Sequence, residues 1–516
     1  MPETPPVECG APEPEGEWLG LDDVLDRIDA AASPTVALSI TGGGASGAWQ
    51  AGVIAALLQA IERRRRERGA CKASPRLVVG TSAGALNAFG LLLGSIRPAG
   101  GGPADGAEPF VASLWRTIGA RNDGARFVTG GRARLVAWIT RWRRWRRLQK
   151  AVALASAGCA LALVNPILFG VVAQGRRPVA WLADAVLARP VRATLVAAAL
   201  LAVVIFLLAR AFGRALFGNA ALESTLAAAA RARLAGRTPS YGELLRPIGG
   251  DERQRVAMAV VRAWAETPDA PELVVTATDL TARWECLFAL ASPERCERLA
   301  EAGWEVGSLG PGARTPAPGT ESYLAAVHEG ELLRCVVAST SIPGVFPSQR
   351  IRMSRLDGSG TEAVHDFVDG GVLNNSPMNV AVDAGATHVI SIELDPLHES
   401  PPLDAPEARG GEPLLPDNLG KTLATLLNMA TTEDVTRTIA MNRMVAQAAI
   451  PGRRIVEVFR MAPASRDLDT LEFDGHYDDP FSAPSPSLVE WMQRGVLDAR
   501  APGKRFWNAT WRAWPA

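Results

Sequence analysis

Neither sign of charge is in excess in this 516-residue chain: 54 lysines and arginines balance 54 aspartates and glutamates. A formal net charge of zero gives no whole-chain attraction to nucleic acid, and no nucleic-acid partner is expected. Histidine is scarce, five in all, at positions 328, 365, 388, 398 and 476, and none sits in an evident catalytic setting. The six cysteines, at 9, 71, 159, 286, 296 and 335, make no Cys-x-x-Cys pair and no metal-ligand spacing. No metal, cofactor or disulfide framework is therefore expected, and the thiols read as those of a reducing compartment. Residues 1–16 are rich in Pro and Glu without an apolar core, so a secretory signal peptide is not expected. Internal repeats are also missing.

Glycine is plentiful, and three short glycine-containing segments carry the chemistry. The first is Gly42-Gly43-Gly44-Ala45-Ser46-Gly47, between the strand pattern Val36–Ile40 and a largely apolar stretch from Ser46 to Ala60. Unblocked backbone amides at a helix N-terminus make a site for developing negative charge. The alternatives are a glycine-rich turn for close packing or a phosphate cradle, but no Gly-Lys-Ser/Thr follows to complete a P-loop. The second segment, Gly80-Thr81-Ser82-Ala83-Gly84, lies between the apolar Leu77-Val78-Val79 and the helix-like Ala83–Leu93. It fits the G-x-S-x-G elbow that lifts a serine Oγ above a sheet, although a tight turn with a capping serine has the same pattern.

The third segment, Asp369-Gly370-Gly371, ends the strand pattern Val364–Val368 and supplies a carboxylate that can serve as a base. Asp366 and His365 are its neighbours and rivals. Strand alternation turns Asp366 to the opposite face, and His365 lies farther down the strand, away from its mouth. The plain alternative for Asp369 is an Asp-Gly turn.

In this order the three segments resemble the patatin-like phospholipase family, with its glycine-rich oxyanion loop, G-x-S-x-G elbow and D-G-G segment. Gly52-Val53-Ile54, the strand-like Val274–Leu280, the stretch Ala338–Pro347 and Asn374-Asn375-Ser376-Pro377 are similar as well. The resemblance implies a dyad in which Ser82 attacks an ester and Asp369 takes its proton directly. Gly42, Gly43 and Gly44 would hold the oxyanion, and Gly47, Gly80, Gly84, Gly370 and Gly371 would support the motifs. A Ser–His–Asp triad is the competing mechanism. One position departs from the family: Ser46 stands where an Arg or Lys is usual, which removes a positive charge beside the loop.

Residues 130–217 interrupt the family pattern. Ala151–Ala173 is apolar apart from Ser156 and Asn165-Pro166, and Ala193–Ala209 carries no charge. At about 1.5 Å per residue the first run extends ~34 Å, enough for a bilayer core of about 30 Å. Arg132, Arg134, Arg141, Arg143, Arg144, Arg146, Arg147 and Lys150 precede it, with Trp138, Trp142 and Trp145 interleaved. That arrangement predicts a membrane hairpin, partnered by the bilayer through 151–173 and 193–209, with the catalytic body on the cytoplasmic side of the inner membrane. Two buried helices or an apolar lid over the site are the alternatives.

The expected architecture is three-layered α/β/α with a mostly parallel central sheet, strands falling near 36–40, 76–79, 273–277, 364–368 and 387–393, plus the inserted α-helical hairpin. It divides into a tail and short helix (1–33), a first catalytic part (34–129), the insertion (130–217), a second catalytic part (218–500) and a tail (501–516). The expected function is hydrolysis of membrane-lipid esters through an acyl-enzyme. A triacylglycerol lipase, a thioesterase, an acyltransferase and a catalytically weak membrane scaffold remain as alternatives.

Overall fold

The computed structural model describes residues 17–98, 111, 115, 219–244, 246–310, 323–343, 346–356, 361–394, 435–446, 454–463, 488–501 and 505–510. By contacts the chain divides into Met1–Phe127 with Gly218–Ala516, and Val128–Phe217. The expected apolar hairpin and the first sixteen residues lie outside the described residues. Among the described residues no helix is long and apolar enough to cross a membrane.

Among the described residues twelve strands form one sheet, in the order β1-β12-β11-β10-β2-β3-β4-β5-β6-β7-β8-β9. Five adjacent ones run parallel: β11 (Glu457–Met461), β10 (His388–Ile392), β2 (Val36–Ile40), β3 (Leu77–Gly80) and β4 (Glu272–Asp279). Their apolar runs are buried on both faces, as parallel strands require. Ala37, Leu77, Val79, Val274 and Val389 share one buried cluster with Leu299 and with Met378, Val380 and Ala381. Alternate residues such as Leu38 and Val78 turn to the other face, where α3 (Ala83–Ser95) packs across β2, β3 and β4.

The expectation of a mostly parallel sheet is corrected beyond β4. There β4–β5 (Trp284–Leu290), β7 (Leu324–Val327)–β8 (Gln349–Arg355), β8–β9 (Glu362–Asp369) and β9–β4 are antiparallel. Only β5–β6 (Glu305–Ser308) and β6–β7 are parallel in this half. The pairing of β9 with β4 closes β4 to β9 into a six-strand ring. For the first of these pairs the cause is local: Leu280–Arg283 joins β4 to β5 so tightly that the two strands must pair antiparallel. Arg283 takes φ 60° in that turn, a position where glycine or asparagine would have announced a hairpin.

The other edge carries β1 (Trp18–Leu19) and β12 (Phe506–Asn508), with Trp18 and Trp507 edge-to-face at 5.4 Å. Helix α1 (Leu21–Ala30) docks on α2 (Gly47–Arg68) through Arg64, which is buried and donates to Asp26 Oδ1 at 2.6 Å and to Asp22 O at 2.7 Å. Part of the basic run Arg63–Arg66 is thus committed to an intramolecular helix contact. The C-terminal α4 (Leu488–Arg500) crosses α2 at two glycines. A Cβ on Gly52 would stand 1.9 Å from Met492 O, and one on Gly495 would stand 2.1 Å from Trp49 O. Trp49 Nε1 donates to Asp498 Oδ2 at 2.9 Å across the same crossing.

Gly52→Ala or Gly495→Ala should therefore destabilise the fold by about 1–3 kcal/mol, the usual cost of overpacking. Gly242→Ala, where an added Cβ meets nothing within 4 Å, should change little. Urea-unfolding midpoints test this; unchanged midpoints for the first two would contradict the backbone-to-backbone crossing.

Candidate active site

Two strands meet end to end along one edge of β4. From below, β3 runs parallel to it as far as Gly80 opposite Val275; from above, β9 runs antiparallel as far as Asp369 opposite Ala277. Only Thr276 separates them, and its Oγ1 shares a 2.7 Å hydrogen bond with Thr81 Oγ1. The chain leaving β3 carries Ser82 and Asp369 is the last residue of β9, so the register of β4 brings the two side chains together. Ser82 Oγ donates to Asp369 Oδ2 at 2.7 Å, and both residues are buried.

Ser82 has φ 54° and ψ −122°, a strained conformation for a residue with a side chain. Its surroundings hold it there. Ser82 N donates to Ser339 Oγ at 3.0 Å, and Ser82 O accepts from Ala85 N at 2.9 Å as α3 begins. The turn is tight enough that a Cβ on Gly84 would stand 2.2 Å from Ile40 O, and one on Gly80 would stand 2.4 Å from Gly84 O. Gly47 faces Ala83 at a comparable approach.

Asp369 is fixed from all sides. Its amide donates to Ser341 O at 3.0 Å, its carbonyl accepts from Thr278 Oγ1 at 3.0 Å, and Gly371 N donates to Oδ1 at 2.8 Å. Gly370 lies against Thr276, where a Cβ would stand 2.2 Å from Oγ1. Burial raises the carboxyl from 3.8 to about 7, while the bonds from Ser82 and Gly371 pull the other way. A carboxylate held near neutrality is a competent base at the pH of a cell.

The glycine loop divides its duties. Gly42 N donates to Asn375 O at 3.1 Å, so this amide, expected with the other two to face an oxyanion, ties the loop down instead. The amides of Gly43 and Gly44 have no partner among the described residues, and Gly44 takes φ 55° as the chain turns into α2. Ala83 N, at the start of α3, is likewise unpartnered among the described residues. Sequence reasoning missed the supporting roles of Ser339, Ser341 and Thr276. Ser339 and Ser341 lie in the stretch Ala338–Pro347, and the hydroxyls in that stretch were the available signal.

The rivals of Asp369 lie elsewhere. Asp366 is on the outer face, with its carboxylate 3.5 Å from Arg350. His365 pairs through Nδ1 with buried Asp279, about 13 Å back along the strand from Asp369. Asp279, Glu305 and His365 bring three metal-ligating atoms within 4.8 Å of one another. Yet Asp279 Oδ1 accepts from the amides of Thr281 and Ala282, and Oδ2 is taken by His365, which reads as a closed polar network. His328 Nδ1 accepts from Gly330 N at 3.0 Å, and His388 Nδ1 lies 2.9 Å from Thr387 Oγ1. A cavity of about 690 Å³ beside Thr35, Arg298 and Thr387 sits at the opposite, N-terminal ends of the parallel strands, not the end where such sheets bind ligands. Cys71, Cys286, Cys296 and Cys335 are free thiols.

Comparison with known proteins adds the following. The family model described as patatin-like phospholipase matches residues 38–382. Among solved structures, VipD from Legionella pneumophila matches at 14% sequence identity and a TM-score of 0.31, over 91% of this chain and 66% of that one. This chain thus spans just under two thirds of that protein's length, and so low a score carries no structural argument. No curated protein sequence matches.

Because the folded pKa of Asp369 is raised, its contribution to stability is full below about 4 and is lost as pH rises through about 7. Asp369→Asn, which keeps the shape and hydrogen-bonding capacity without the charge, should gain stability over wild type at pH 8, on the order of a few kcal/mol. The gain should shrink towards pH 4. Melting temperatures of both proteins at the two pH values check this, and a difference independent of pH would refute the raised pKa.

Proposed function

The chain belongs to the patatin-like phospholipase family, and from that premise we propose that it is a serine acyl hydrolase cleaving ester bonds of membrane lipids. The observation that carries the proposal is the 2.7 Å bond from Ser82 Oγ to the buried carboxylate of Asp369. Asp369 accepts the Ser82 proton as Oγ attacks the ester carbonyl, and the tetrahedral oxyanion forms against the amides of Gly43 and Gly44. Gly42 fixes their orientation through its bond to Asn375 O. Collapse expels the alcohol, which leaves with the proton held by Asp369. Water, deprotonated in turn by Asp369, then releases the fatty acid from Ser82.

A dyad is favoured over a triad because each described histidine is engaged elsewhere: His328 with Gly330, His365 with Asp279 and His388 with Thr387. Ser46 puts no cation beside the glycine amides, so stabilisation of the oxyanion rests on preorganised N–H groups alone. The apolar runs 151–173 and 193–209 would tether the enzyme to its substrate. Basic flanks would keep the catalytic part on the cytoplasmic face. Tethering raises the effective concentration of lipid without any new contact in the site.

Purified wild type should hydrolyse phospholipid in liposomes. Ser82→Ala and Asp369→Asn should each lose at least about 10³-fold in kcat, while His328→Ala, His365→Ala and His388→Ala should retain turnover within several-fold. A histidine variant as inactive as Ser82→Ala would restore the triad. For the tether, the full chain should resist extraction from membranes by high salt and alkaline wash; its recovery in the soluble fraction would remove the bilayer from the proposal.

A further inference from the structure

Asn375 is only 4% exposed, and its Oδ1 has no hydrogen-bonding partner among the described residues. The location of that oxygen is informative. A Cβ on Gly42 would stand 2.3 Å from Asn375 Oδ1 and 3.0 Å from Ser82 Cβ. The unpaired oxygen and the reactive serine therefore both pack against Gly42, so closely that no side chain fits there. The neighbouring Asn374 bonds Glu285 through its side chain, and its Oδ1 and Ser376 Oγ are likewise buried without a partner among the described residues; of these oxygens, Asn375 Oδ1 lies beside Gly42 and Ser82.

A buried carbonyl oxygen left unpaired is destabilising, and only a donor can relieve it. Gly42 cannot, because its amide is already bonded to the Asn375 backbone oxygen. Resting on the function proposed above, the chemistry at Ser82 brings in an acyl carbonyl, which accepts, and an attacking hydroxyl, which donates. Water carries two protons and an alcohol one. During deacylation one proton of the nucleophile must pass to Asp369, so only water has a second to offer.

We propose that Asn375 Oδ1 accepts the second proton donor of the deacylating water, and so directs the acyl-enzyme towards hydrolysis rather than transfer to an alcohol. The water oxygen bonds to the acyl carbon and one of its protons moves to Asp369. The other proton stays on oxygen, hydrogen-bonded to Asn375, as the C–Oγ bond breaks and Asp369 returns its proton to Ser82. The products are a free fatty acid and the restored serine. An alcohol in the same place leaves Asn375 unsatisfied.

The test is partitioning of one acyl-enzyme. Wild type and variants are given a p-nitrophenyl ester in buffer containing a fixed concentration of methanol, which has a single hydroxyl, and the ratio of methyl ester to free acid is measured. Because both products come from the same intermediate, the ratio does not depend on how much protein is folded. Removing the acceptor in Asn375→Ala, or in the closer-packed Asn375→Val, should raise the transfer-to-hydrolysis ratio about tenfold, the loss of roughly one hydrogen bond. Asn374→Ala should leave the ratio at the wild-type value. Ratios unchanged in both Asn375 variants, or raised equally by Asn374→Ala, would overturn the proposal. A wild type that releases no p-nitrophenol and takes no fluorophosphonate label on Ser82 would instead overturn the hydrolase assignment beneath it.

Discussion

The shared edge of β4 is the constraint on which the remainder depends. A strand has two edges, and one of them is here divided between a parallel neighbour and an antiparallel one whose ends face each other across Thr276. Two residues 287 positions apart in sequence are thereby held at hydrogen-bond distance by backbone pairing. No flexible side chain has to reach for the other. That is the precision a reacting pair needs, because a small misplacement of either group costs rate steeply.

Such an arrangement is paid for in stability, and the rest of the fold supplies the offset. Ser82 carries an unfavourable backbone conformation, and Asp369 a carboxyl removed from water. Against these stand the parallel strands buried on both faces and the closed six-strand ring, which removes the sheet edge that β9 would otherwise expose. The glycine crossing of α2 and α4 locks the helix that begins at the amide loop. On the far side of that loop Leu394 packs against Gly43. Beside it lies Glu393, bonded to Arg460, and that ion pair is fully buried. Breaking one partner of such a pair strands a charge in the interior, so it holds the loop's neighbour in a single position.

Much of this was legible in the sequence, for a physical reason. Strands β2, β3 and β10 are short apolar β-branched runs with glycine or polar residues at their ends, and Ser82 and Asp369 sit where such runs stop. The steric demands of the elbow and the loop can be met only by glycine, so they are written into composition. What stayed hidden is pairing. Nothing in Leu280-Thr281-Ala282-Arg283 marks a hairpin, because Arg283 adopts a positive φ without a glycine to signal it. That turn sets the antiparallel β4–β5 pair, while the β7–β8 and β8–β9 pairs and the closure of β9 on β4 depend on other segments. Gly42, Gly43 and Gly44 look equivalent in sequence, yet only the fold shows that the first is bonded to Asn375. The close crossing at Gly52 and Gly495 and the support from Ser339 are long-range contacts of the same hidden kind.

In the proposed mechanism Asp369 itself, and no histidine, takes the proton from Ser82. The pH dependence of the rate at which a fluorophosphonate modifies Ser82 tests it most directly, since that reaction needs the base but no deacylating water. The rate is expected to rise with pH, follow a single ionisation near 7, survive replacement of His328, His365 and His388, and collapse in Asp369→Asn. A profile that keeps its shape in Asp369→Asn, or vanishes when one histidine is replaced, would contradict it.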